Sequence, residues 1–220
     1  MNITFSNARI IDPDLGRDFL GSLSVEEGVI TSIDGPDRGT VLDCRGACLA
    51  PGIVDIGVKV CEPGERHIES FRTASSAAVA GGVTCMVTRP DTKPPIDNPE
   101  ILEFFLTRAS RSAAAKILPM VSISKNLFGK ELSELGFMKD LGAVAFSEGL
   151  NYFENSQSLL KAMQYIKALD KILIGHPQEN TLSKGGVATS GPFASKLGLP
   201  TISTIAEKIG LERDLALVSL

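Results

Sequence analysis

Tryptophan is missing from this 220-residue chain and only two tyrosines occur. The aromatic platforms on which single-stranded nucleic acids stack are therefore scarce. Basic charge is not in excess either. Twenty-two Lys and Arg stand against 26 Asp and Glu, for a formal charge of −4 and a pI near 5.3. That balance weighs against nucleic acid or an anionic membrane as a partner. No apolar run approaches the roughly 18–20 residues that cross a bilayer. The start, "MNITFSNARIID", lacks both the basic stretch and the apolar core of a signal peptide, so a cytoplasmic location is expected. Cysteine is sparse. Cys44, Cys48, Cys61 and Cys85 form no C-x-x-C pair, and no second Cys/His pair follows Cys44 and Cys48 at zinc-site spacing. All four are expected as small buried or half-buried thiols.

The signatures of several enzyme classes are absent as well. No glycine fingerprint for a dinucleotide follows the first long apolar strand, and no Gly-x-Ser-x-Gly elbow appears. "SKGGVATSG" (183–191) is rich in glycine and serine but lacks the lysine and serine order of a P-loop, and reads as a mobile loop.

What is present falls into two grammars. Residues 1–50 hold short β-prone runs, "ITFSNARII", "GSLSVEEGVITSI" and "GTVLDCRGACLA", with Val25 and Val29 flanking a tight "EEG" turn. This small β module has too little chain to bury a large core of its own. Residues 51–220 alternate strands with helices. Buried strands are expected at "GIVDIGVKV" (52–60), "VTCMVT" (83–88), "AKILPMVSI" (115–123), "GAVAFS" (142–147) and "KILIGH" (171–176). Helices lie between them. One ends on Gly81-Gly82, and one opens on Asn98-Pro99 and closes with Arg108 and Arg111. Another carries Leu159, Met163, Ile166 and Leu169 on one stripe. Five βα units in a row argue for a parallel α/β fold, either doubly wound or a (β/α)8 barrel. The missing nucleotide fingerprint favours the barrel, of which five units are three strands short.

In such folds reactive groups sit at the carboxyl ends of strands. The first strand offers Asp55, Gly57 and Lys59 on one face, followed by "CEPGERH" with His67. The plain expectation for Lys59 is a solvated or internally paired lysine. The fourth strand ends at Glu148 and the fifth at His176. Each could touch a metal, but a hydrogen-bonded histidine and a capping carboxylate are the commoner fates. Two distant histidines cannot alone complete a zinc site.

Together, "APGIVDIGVKVCEPG", "AAVAGGVTCMVTRPDTKPPIDNP", "GAVAFSEG" and "IGHPQENTLSKGGVATSGPFASKLGLPTISTIAEKIGLERDLAL" resemble, in order, the motifs of dihydroorotases of the amidohydrolase superfamily. The resemblance implies a (β/α)8 metal-dependent barrel with a small composite β module. It also implies zinc-dependent interconversion of N-carbamoyl-L-aspartate and dihydroorotate in pyrimidine biosynthesis. The turn and packing residues match the family, whereas the positions that carry chemistry do not. Where the family has Asp-x-His-x-His, this chain has Asp55, Gly57 and Lys59, so both first-strand ligands are missing. Glycine has no donor atom, and an ammonium has no free lone pair. The family's substrate-binding arginine is Cys61, and its asparagine is Asp91. Of the metal-ligand positions only His176 matches, with Glu148 aligning across a one-residue gap.

The expectation is a dihydroorotase-like protein that is not catalytic and holds no zinc. By family analogy it would act as an assembly partner of aspartate carbamoyltransferase, with self-association as a further way to cover an incomplete barrel's strand edges. The competing expectation is an active zinc-dependent dihydroorotase, or a related cyclic amidase, using an altered metal site around His176 and Glu148.

Overall fold

The computed structural model describes residues 2–220, and the chain divides into two compact units, residues 1–53 and 54–220. The first unit is a single sheet of β1 (Ile3–Asp12), β2 (Arg17–Glu26), β3 (Val29–Ile33), β4 (Thr40–Asp43) and β5 (Cys48–Leu49). Its order is β3-β2-β1-β4, with β5 also pairing β1. The β2–β3 hairpin turns on Glu27 and Gly28, both at positive φ, with Glu26 opposite Val29. That geometry matches the right-handed twist of the strands it joins. Ala8, Ile10 and Leu23 form a small buried cluster on one face.

The second unit begins with β6 (Ile53–Val58), α1 (Phe71–Ala80), β7 (Val83–Thr88), α2 (Pro99–Ser112) and β8 (Lys116–Ser122). It continues through α3 (Leu135–Leu141), β9 (Ala145–Ser147), α4 (Ser156–Ala168) and β10 (Ile172–Ile174). The strand order is β10-β9-β8-β7-β6, so every strand lies beside its predecessor in sequence, and β7 through β10 pair in parallel. A doubly wound sheet would reverse direction at a switch point. No reversal occurs, and the architecture is that of a (β/α) barrel across five of its strands.

Local chemistry sets the helices. Ser70 and Thr73 make a reciprocal capping box at the start of α1, and Gly82, at φ +85°, turns the chain into β7. Asn98 Oδ1 accepts from Ile101 N at 3.0 Å with Pro99 at the first helical position of α2. Leu102, Phe105 and Ala109 then point into the core, where Phe105 meets Phe71 edge-on with ring centroids 4.8 Å apart. Leu159, Ala162 and Ile166 of α4 are buried, with Met163 and Leu169 packed beside them.

Two expectations needed correction. The segment read as a mobile loop holds structure. Past α5 (Asn180–Ser183), β11 (Ala188–Thr189) pairs in parallel with β12 (Thr201–Ile202) across α6 (Pro192–Leu197), before α7 (Thr204–Val218). Gly186 has no side chain to block Ile202, which lets this small ladder close. Of the cysteines, Cys48 is exposed, because the two-residue β5 turns its side chain outward.

Candidate functional site at the strand ends

Of the residues singled out for chemistry, Lys59, Asp91, Glu148 and His176 sit just past the ends of β6, β7, β9 and β10, whereas Asp55 lies within β6. β6 closes at Val58, and Gly57 takes φ +98°, a backbone that favours glycine. The alternation expected to place Asp55, Gly57 and Lys59 on one face therefore breaks, and Lys59 leaves the strand rather than continuing it. Arg89 is the corresponding first residue past β7, and its N–H donates to Val58 O at 2.9 Å.

Lys59 is internally paired. Its Nζ donates to Asp91 Oδ2 at 3.0 Å and to Asp91 O at 3.2 Å. Arg89 grips the same carboxylate with two hydrogen bonds, Nε to Oδ1 at 3.1 Å and Nη2 to Oδ2 at 3.0 Å. Burial pulls the Asp91 carboxyl upward. Hydrogen bonding from Lys59 and the charges of Arg89 and Lys59 outweigh it and hold the group below the usual carboxylate range. Gly149, at φ +65°, packs its backbone over this carboxylate, since a Cβ there would come within 2.8 Å of Asp91.

Glu148, at the end of β9, is buried, and both its oxygens are engaged by one residue. Ser124 N donates to Oε1 at 2.7 Å, and the Ser124 hydroxyl lies 3.0 Å from Oε2. Ser124 Oγ also accepts from Gly129 N, so Glu148 pins the loop that follows β8. Burial pushes the Glu148 carboxyl up to about 7, against the smaller opposing pull of the Ser124 hydrogen bonds. His176, past β10, shares a cleft of about 20 Å³ with Glu148, lined further by Arg213 and Asp214, a volume on the scale of one water molecule. Its Nε2 lies 2.9 Å from Gln178 Oε1, and a donation through Nε2 leaves the ring's lone pair on Nδ1. Arg213 closes the cleft, donating to Phe153 O and Asp214 and stacking 4.1 Å from the Tyr152 ring centroid.

The residues present do not fit a zinc centre. Gly57 has no donor, Lys59 is held by Asp91, and Glu148 is satisfied by Ser124. Among the described residues no three His, Cys, Asp or Glu side chains converge to hold a metal ion. His67 is exposed in the loop after β6 and joins none of these groups. Cys61 is half-buried, and Glu62 beside it has a structural task. Glu62 Oε1 takes Nε and Nη2 of Arg108 at 3.1 and 3.0 Å, while Oε2 accepts from Phe71 N at the start of α1.

Sequence reasoning named Lys59 and Asp91 separately and missed that they meet. Their opposite charges at two altered positions were the available signal. It missed Ser124 altogether.

The fold and these motifs agree with known proteins. A dihydro-orotase-like family model matches residues 46–219. A dihydroorotase-like protein of Pseudomonas putida is 38% identical over 99% of this chain and 52% of its own length. A dihydroorotase of Syntrophus aciditrophicus is 36% identical over the same shares. The chain thus spans about half the length of the curated relatives it matches. An L-hydantoinase from Arthrobacter aurescens superposes with a TM-score of 0.80 at 20% identity, over 99% of this chain and 50% of that one, which speaks to the fold. With family match, relatives and architecture in accord, the chain belongs to the dihydro-orotase-like family of the amidohydrolase superfamily.

Proposed function

We propose that this chain is a dihydroorotase-like protein of pyrimidine metabolism that no longer performs metal-dependent ring chemistry and serves as a structural partner of aspartate carbamoyltransferase. One observation carries the reading: the Lys59 ammonium, at a family metal-ligand position, is ion-paired to Asp91, at a family substrate-binding position. A cation replacing a ligand and an anion replacing an amide would each disable the reaction alone. Placed 3.0 Å apart, they neutralise one another. The partner is assigned by analogy with inactive dihydroorotase homologues that assemble with that transferase. Co-purification or light scattering of the mixed proteins tests it. A complex of defined stoichiometry is expected, and two independently sedimenting species would refute the partnership.

A second reading keeps an active cyclic amidase with an altered metal site. It is favoured by one feature, the cleft that Glu148 shares with His176. It predicts about one equivalent of bound zinc and hydrolysis of dihydroorotate, and fails if Glu148→Gln leaves both unchanged.

A further inference from the structure

Helix α2 turns one ordered stripe away from the core. Leu102, Phe105 and Ala109 face inward. Glu100, Phe104, Thr107 and Arg111, spaced i, i+4, i+7 and i+11, lie on the opposite side within about 60° of one another. All four are exposed. Phe104 is 51% exposed on a helix whose flanks are already packed by α1 and α3. Glu100 and Arg111 have no hydrogen bond or ion pair among the described residues. They stand about three turns apart, about 16 Å along the axis, and cannot reach one another. A carboxylate in the first turn and a guanidinium in the last suit the helix dipole. The dipole does not account for an exposed phenyl ring between them.

The order of the stripe is self-complementary. Glu100 and Arg111 are centred on the same point as Phe104 and Thr107, between Phe105 and Leu106. A second α2 laid antiparallel across that point sets Glu100 opposite Arg111 of the second copy and Phe104 opposite its Thr107. A two-fold axis makes each contact twice. A parallel arrangement would set each charge against its like. Phe137 on α3 and Val79 on α1 are exposed on the flanking helices and extend the apolar part.

We propose that the outward stripe of α2 is the contact face of a two-fold homodimer of this chain. The contact is small, one helix and its flanks from each copy, and such interfaces associate weakly. The inference is independent of the transferase partnership, and each can fail alone.

Sedimentation velocity and light scattering of the whole chain, from about 1 to about 300 µM, test it. A reversible monomer–dimer equilibrium is expected, with a Kd on the order of tens of micromolar. Phe104→Ser, Glu100→Arg and Arg111→Glu should each weaken it at least about tenfold, since the two-fold repeats every loss. Glu100→Arg combined with Arg111→Glu should restore it, because the facing charges are again unlike. Ile56→Ser, on the exposed strand β6, should leave it unchanged. Circular dichroism and urea unfolding confirm that each variant is folded. A monomer at every concentration would overturn the proposal. So would a dimer that survives Phe104→Ser but is lost in Ile56→Ser, or a folded double charge swap that fails to restore association.

Discussion

At the scale of single residues, the ion pair between Lys59 and Asp91 is the contact on which the proposed function rests. Its contribution to stability is modest, because the lysine is half exposed and Asp91 keeps Arg89 when the lysine is removed. A double-mutant cycle of Lys59→Met and Asp91→Asn, read by urea unfolding, is expected to show a coupling of about 0.5–1 kcal/mol. A coupling near zero would mean the pair is not formed in solution. Glu148 behaves differently because it is buried. Its carboxyl sits near 7 in the fold against an ordinary value of 4.5, so the protonated form is the one the fold favours. The associated stability is present in full below pH 4.5 and is lost as the pH rises toward 7, by about 3 kcal/mol in all. Unfolding measured from pH 4.5 to 8 should show this decline in the parent protein. Glu148→Gln, which does not titrate, should flatten it.

At the scale of elements, two polar contacts join segments that composition never linked. Glu62 anchors α2 through Arg108 and the start of α1 through Phe71 N. Arg108→Met would leave a buried carboxylate with a single backbone donor. The expected loss is about 2–3 kcal/mol by thermal or urea unfolding, below that of a fully buried pair because the Arg108 side chain is one-third exposed. α7 packs through Gly210, where a Cβ would approach Pro177 O to 2.5 Å. Gly210→Ala improves helix propensity by about 1 kcal/mol but forces that carbonyl aside, and overpacking should win with a net loss of about 1–2 kcal/mol in unfolding free energy. The five strands β6 to β10 and α2 were legible because β-branched apolar runs and an Asn-Pro cap are local signals. α3 was not. It is seven residues long, and Glu134 makes no side-chain cap, so the fold holds it by burying Leu135 and Met138. The site residues were individually legible, but their pairings were not. Lys59 and Asp91 are separated by 32 positions, Glu62 and Arg108 by 46, and only the winding of the sheet brings them together.

At the scale of the whole molecule, a scaffold of barrel type carries the Lys59–Asp91–Arg89 cluster and Glu148 at its strand ends. β6 leaves Ile53, Val54 and Ile56 more than half exposed, and α7 exposes Leu215 and Val218. The central claim is that Lys59 and Asp91 stand where a metal and its substrate contacts would be. It is tested most directly by measuring zinc content together with dihydroorotate turnover in the protein purified with zinc supplied. The account predicts zinc well below one-tenth of an equivalent and no hydrolysis above the uncatalysed rate. About one equivalent of zinc with turnover that chelation abolishes would contradict it.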